Sequence, residues 1–375
     1  MDWCEMKLNV KYEDLVDIDK IIAMYKTIRT NTKNRGKLHK FELFYASNII
    51  SILNVLKYKK YNHSNYNVFL VHEPKYRIIM SEIMSDKVIN HVVSHFVLAP
   101  GITPHLIPQN VATRKKMGTK EGIRYVKKYI NKLKLNYDKV YVLKCDIKKY
   151  FYSIDHELIL EKVKRFITDP DIYKLIENII KSTDNAYVNE AIKKVIRKEI
   201  NRIENLNILD KENKIAELKS IPLYEKGKGL PIGNMTSQLL AIYFLNDLDH
   251  YIKEKLYCKY YVRYMDDFII FDPDKEHLKE LKKKIEEKLK EFKLELNRKT
   301  NIYDLKHGFG FLGYQFLLKG KRLIIKINPG TKRRIKKKMR KLKKINAPNY
   351  EQVKASYMGY LTVAHSKNLL KKLDL

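Results

Sequence analysis

The chain has 375 residues, 45% of them hydrophobic, enough to bury a large core and fill two or three structural units. Its formal charge of +33, from 76 Lys and Arg against 43 Asp and Glu, sets compaction against self-repulsion and calls for a polyanionic partner, nucleic acid above all. Part of the lysine excess can reflect composition bias, since Lys, Asn, Ile and Tyr are all abundant. No apolar run is long enough to span a bilayer, and the start MDWCEMKLNVKYEDL has acids where a signal peptide would be basic and then apolar, so a cytoplasmic protein without a membrane partner is expected. Cys4, Cys145 and Cys258 lie far apart and form no CxxC pair, so neither a disulfide framework nor a zinc knuckle is suggested; Cys145, in an apolar run, is expected in the core.

Residues 12 to 60 read as helical, with Ile21, Ile22, Met24 and Tyr25 and then Phe41, Phe44, Ile49, Ile50 and Ile52 at helical spacing, interrupted by the basic loop TNTKNRGK. Alternation from Tyr76 to Met80 gives way to a helix that runs through His95 and is expected to stop before Pro100. A basic, glycine-containing loop and an amphipathic helix follow in QNVATRKKMGTKEGIRYVKKYI. Val140, Tyr141, Val142 and Leu143 are all apolar, as in a centrally buried strand, and that strand ends at Asp146. Asp155 opens a helix to about Phe166. Residues 184 to 220 are Lys/Glu-rich and helical in pattern, an insertion or accessory arm. GKGLPIGNMTSQ makes a Gly/Pro turn before a long helix starting near Thr236. Strand, tight turn and strand follow in YYVRYMDDFIIF, then a helix with Leu278, Leu281, Ile285, Leu289 and Phe292 on one face. Two short strands, around Ile302 and over GFGFLGYQFLL, are expected to complete the sheet. Beyond Pro329, TKRRIKKKMRKLKKI has ten basic residues in fifteen, a density suited to a phosphate backbone.

Tyr264-Met265-Asp266-Asp267 is the most informative segment. Two adjacent carboxylates in an apolar ribbon need solvent or a cation to neutralise them. A plain hairpin tip with solvated acids is the simpler alternative, but Met-Asp-Asp lacks the glycine that such turns prefer. Asp146, at the end of the buried strand, supplies a third acid. Three carboxylates at one sheet edge repel unless divalent cations bridge them, and two such ions about 3.5–4 Å apart would clamp the oxygens of an in-line phosphoryl displacement. Spacing alone fits a polymerase, a nuclease or a cyclase.

CDIKKYFYSIDH, LPIGNMTSQ, YMDD, LELNRKT and GFLGY occur in the order and spacing of a reverse transcriptase palm. Over roughly residues 40 to 365 the chain resembles the bacterial reverse transcriptases related to those of group II introns, retrons and diversity-generating retroelements. The resemblance implies an α+β right-hand polymerase fold: fingers over 1–135, a palm with antiparallel sheet over 136–320 carrying the 184–220 insertion, and a basic helical thumb over 321–375. It implies RNA-directed DNA synthesis with two Mg²⁺ ions, for which Mn²⁺ can substitute. The partners implied are an RNA template, such as a dedicated non-coding RNA, a DNA or protein primer, dNTPs, and an accessory protein or second copy of the chain.

By the same resemblance Asp146, Asp266 and Asp267 are the metal-binding triad, with the carbonyl of Ile147 as a further ligand. Phe151 matches the bulky gate that excludes a ribose 2′-hydroxyl; an ordinary core aromatic is the alternative. Lys75, Arg77, Arg114 and Lys116 fall in fingers-like segments that grip the triphosphate and template, although solvated surface charge would explain any one of them. Lys299 matches a lysine proposed as general acid to pyrophosphate. Gly313 and Tyr314 match the primer-grip hairpin, with a structural turn as the alternative.

Motif B departs from the common Pro-Gln-Gly and Ser-Pro forms. Pro231-Ile232-Gly233 and Ser237-Gln238 stand there instead, placing Ile232, Gly233 and Gln238 near the nascent base pair. This form is similar to diversity-generating retroelement and defence-associated enzymes, so a retroelement or antiphage role is implied. Protein-primed or untemplated synthesis, and an inactive RNA-binding scaffold, remain the alternatives.

Overall fold

A computed structural model of the chain describes residues 7–32, 35–73, 75–366 and 369–370; Cys4 lies outside them. Two compact units emerge, each assembled from three separate stretches of sequence: residues 1–106, 148–247 and 289–295 in one, and 107–147, 248–288 and 296–375 in the other.

The first unit is mainly helical. Helix Ile18–Asn31 starts because the Asp17 carboxylate accepts from the free amides of Asp19 and Lys20. Helices Arg35–Glu42 and Tyr45–Lys57 follow, so helix reaches into the expected TNTKNRGK loop from both sides, at Asn31 and at Arg35. Strands β1 (Asn67–Val71) and β2 (Arg77–Ser81) form an antiparallel hairpin.

Helix Met84–Val93 does not stop before Pro100, contrary to expectation. The chain stays helical through a wide π turn over Ser94–Leu98, where Ala99 N donates to the Ser94 carbonyl, and on into Ala99–Ile102, which contains Pro100. Asp169 caps helix Pro170–Ile180 through the amides of Asp171 and Ile172 and also accepts from Tyr12 N at 2.9 Å, which ties the N-terminal segment to this helix.

The Lys/Glu-rich segment forms helices Ala186–Glu204 and Lys211–Lys219. The first is docked rather than projecting. Val188 and Ile192 are buried with Tyr66, Ile78, Met80 and Tyr224, making one core with the hairpin.

The second unit is built on a four-stranded antiparallel sheet, in the order β4 (Tyr261–Tyr264), β5 (Asp267–Asp272), β3 (Tyr141–Asp146), β6 (Asn301–Asp304). The strands β7 (Phe309–Phe311), β8 (Tyr314–Lys319) and β9 (Arg322–Ile327) do not complete that sheet as expected; they form a second one. Between helix Thr119–Asn136 and the two sheets lies a core that includes Val126, Ile130, Val142, Ile269, Phe271, Phe309 and Phe316. Helix Lys275–Glu291 buries Leu278, Leu281 and Ile285 as its spacing predicts. Helices Pro329–Lys344 and Tyr350–Leu361 close the unit. Cys145 and Cys258 are both buried and free. Among the described residues no helix is long and apolar enough to cross a membrane.

Candidate active site

In the second unit β3 and β5 pair in a register that sets Asp146 directly opposite Asp267, and Lys144 opposite Ile269. Alternation along a strand puts Val142, Lys144 and Asp146 on one face, and antiparallel pairing puts Ile269 and Asp267 on the same one. The apolar members enter the core and the polar members mark where the face runs out of it. Asp266 sits in the turn beyond β4, one residue after Met265, whose φ is +58°.

Lys144 was not expected as a site residue. Its Nζ stands 3.5 Å from Asp267 Oδ2 and donates to the carbonyl of Gly310 at 2.9 Å, linking the acidic edge to β7. The signal for it in the sequence is its i−2 position to Asp146 on a strand that is otherwise apolar.

The other oxygen of Asp267, Oδ1, is buried and has no hydrogen-bond partner. Burial pushes the Asp267 carboxyl up to about 7; Lys144 pulls it down, and the neighbouring carboxylates of Asp146 and Asp266 add to the rise. An orphaned buried oxygen beside two more carboxylates is a donor set of hard oxygens, the kind that suits Mg²⁺. Among the described residues no three His, Cys, Asp or Glu side chains are already gathered round a common point. Like charges have no reason to converge without a cation between them.

The backbone around Asp146 is pinned by the loop after Leu296. Asn297 N donates to the Asp146 carbonyl at 2.7 Å, and Ile147 bridges Leu296. Lys299 lies exposed on this loop. Of the predicted site residues, the second unit thus gathers Asp146, Ile147, Asp266, Asp267 and Lys299.

Two of the predicted residues in this unit have side chains engaged by the protein itself. Tyr314 is 2% exposed, stacks on Tyr360 with centroids 4.7 Å apart, and donates its hydroxyl to the Tyr360 carbonyl at 2.9 Å. The tight Gly313 turn, with φ +85°, points this ring inward, and Tyr360 OH donates to the Gly313 carbonyl at 2.8 Å. Arg114 does not extend a free guanidinium; its Nη2 donates to the carbonyls of Ile107, Pro108 and Asn110, closing its own loop. Lys116 is exposed with φ +63° in the same loop.

The first unit holds the remaining candidates. Lys75 and Arg77 are exposed at the hairpin turn and line an open cleft of about 550 Å³ with Tyr76, Glu217 and Ile221. Phe151 is half-buried in the short helix Tyr150–Ser153, and its carbonyl accepts from Leu230 N at 2.7 Å. That bond ties it to the loop bearing Ile232 and Gly233. The Ile232 carbonyl in turn accepts from Met80 N at 2.8 Å. Gln238 is exposed on helix Met235–Phe244.

The family described as reverse transcriptase (RNA-dependent DNA polymerase) matches residues 59–316, and the chain belongs to that family, whose right-hand polymerase fold accounts for its mixture of helices and antiparallel sheets. No curated protein sequence shows significant similarity to it. Among solved structures it is similar to apo telomerase from Candida tropicalis truncated from its C-terminal domain, with 15% identity and a TM-score of 0.46 over 76% of this chain. The match spans 60% of that telomerase chain.

Proposed function

We propose that this chain is an RNA-directed DNA polymerase that copies an RNA template into DNA by nucleotidyl transfer. The observation that carries the reading is the registered Asp146–Asp267 pair at the sheet edge, with Asp266 in the adjoining turn and one buried Asp267 oxygen lacking a partner. Family membership selects polymerisation over the nuclease and cyclase chemistries that the same acids would serve.

Asp146, Asp266, Asp267 and the Ile147 carbonyl would hold two Mg²⁺ ions, which when bound activate the primer 3′ oxygen and neutralise charge on the triphosphate. Lys299 would donate a proton to the departing pyrophosphate. Lys75, Arg77 and Lys116 supply positive charge for triphosphate and template. Phe151 closes the space a 2′-hydroxyl needs, and Ile232, Gly233 and Gln238 line the base pair being formed. Gly313 gives the primer-grip turn its shape. Fingers, palm and thumb over 1–135, 136–320 and 321–375 divide the labour, with the basic helix Pro329–Lys344 on the duplex backbone. A bacterial retroelement or antiphage system is the setting that the PIGNMTSQ form of motif B supports.

The test is Mg²⁺-dependent extension of a DNA primer on RNA by the wild type and by Asp266→Ala. Synthesis is expected from the first and none from the second; equal synthesis by both would remove the site.

A further inference from the structure

The turn that carries Asp266 is poorly specified by its own residues. Met265 has φ +58°, a region that a side chain with a Cβ disfavours, and no glycine lies between Tyr264 and Asp267. Something outside the turn must hold it.

Along β4, Tyr261 and Arg263 point to the face opposite Val262 and Tyr264. Since Tyr264 pairs with Asp267, the Arg263 face is the one turned away from the carboxylates. There Arg263 and Asp249 are both completely buried, each side chain 0% exposed. The guanidinium grips the carboxylate with two prongs, Nε to Oδ1 at 2.7 Å and Nη2 to Oδ2 at 2.5 Å. Tyr261 OH donates to the same Oδ1 at 2.5 Å. The third nitrogen of the guanidinium, Nη1, donates to the Met265 carbonyl at 2.8 Å. The backbone of Arg263 is fixed as well, donating to Gln109 O and accepting from Val111 N, both at 3.0 Å.

We infer that Asp249 and Arg263 are a positioning pair that sets the YMDD turn from behind the sheet. A desolvated ion pair adds little stability over apolar residues of the same volume, so a directional task explains its burial better than fold stability does. The task is visible in the third prong. Fixing the Met265 carbonyl fixes the peptide plane that leads into Asp266, and with it the direction of that carboxylate. Only a planar fork can serve both carboxylate oxygens and a carbonyl at once; a lysine ammonium cannot. Neither residue touches substrate or metal. The inference rests on Asp146, Asp266 and Asp267 forming the reacting site.

Arg263→Met alone would leave a buried, unpaired Asp249, so the informative variant is Arg263→Met with Asp249→Leu and Tyr261→Phe, which replaces the pair and the hydroxyl that donates to it by apolar volume. Arg263→Lys, which keeps the charge and loses the fork, is measured beside it. Amide exchange over Met265–Asp267 is expected to quicken about tenfold or more in both variants while the rest of the unit stays protected. Mn²⁺ binding, followed by electron paramagnetic resonance, is expected to weaken about 10- to 100-fold. Nucleotide incorporation is expected to fall about 10²-fold in kcat with KM for dNTP unchanged. A folded variant, either the pair or the lysine, with wild-type exchange at the turn and wild-type Mn²⁺ binding would overturn the inference. A wild type that incorporates nothing would instead sink the polymerase reading, and the exchange rates would still decide the tether.

Discussion

Asp146 and Asp267 are direct cross-strand partners, the last residue of β3 facing the first of β5, on a face they share with Lys144. Two carboxylates in that relation, one carrying a buried oxygen without a partner, are held together by the sheet against their own repulsion. The site is therefore strained electrostatically before any ligand arrives.

Replacing Asp267 by Asn relieves that strain. In the presence of a chelator the variant is expected to be more stable than the wild type by about 1 kcal/mol, because stability and function trade against each other at such sites. Mg²⁺ should raise the melting temperature of the wild type and leave the variant where it is, while primer extension by the variant falls about 10²-fold or more. Calorimetry with and without Mg²⁺ measures the first two effects. A variant less stable in chelator would show that Lys144 outweighs the repulsion.

Gly233 has φ +136°, and a Cβ there would lie 2.7 Å from the Met80 carbonyl oxygen. Gly233→Ala combines backbone strain with a clash against backbone, so a loss of about 2–3 kcal/mol is expected from urea midpoints. Gly227 has φ +75°, but a methyl group added there would meet nothing within 4 Å, so Gly227→Ala, carrying strain alone, should cost about 1 kcal/mol. Equal costs at the two positions would rule out the close approach.

His91, near the end of helix Met84–Val93, is pushed down from 6.5 to about 4 by burial, with the like charges of Lys87 and His95 adding to the effect. The unfolded chain therefore takes up this proton first as the pH falls. Stability is unaffected by His91 above 6.5 and declines between 6.5 and 4. His91→Gln is expected to recover on the order of 1–2 kcal/mol at about pH 4.5, an amount limited by the ring's partial exposure, and nothing at about pH 8. Denaturant titrations at the two pH values check this; an unchanged pH profile would refute it.

The parts of the fold legible in the sequence are those where one face is buried and the ends are marked. The β3 run of apolar residues, the helix capped by Asp155, and the Leu278–Leu281–Ile285 stripe all carry their own period. β1 and β9 escaped because NVFLV and RLIIKI are short and only half-buried, although Gly320, with φ +57°, marks the turn that leads into β9. That β7 and β8 leave the main sheet depends on pairing between distant strands, which no local pattern records. Among site residues, acids on an apolar strand stand out by their cost. Lys144 and the Asp249–Arg263 pair did not, since in so basic a chain one more cation carries no signal until its partner is seen. Neither could the sequence show that the Arg114 guanidinium bonds its own loop or that the Tyr314 ring packs on Tyr360, since both partners are set by tertiary folding.

The hydrogen bond from Met80 N to the Ile232 carbonyl, with Gly233 packed against the Met80 carbonyl, joins two segments far apart in sequence. β2 carries Arg77 at one end and Met80 near the other, so the hairpin and the LPIG loop are mechanically one piece. A rocking of that hairpin would sweep the loop with it, and through the Leu230–Phe151 bond the proposed gate, Phe151, as well. On the proposed roles of Arg77 and Phe151, entry of a nucleotide and inspection of its sugar would then be phases of a single stroke rather than successive events.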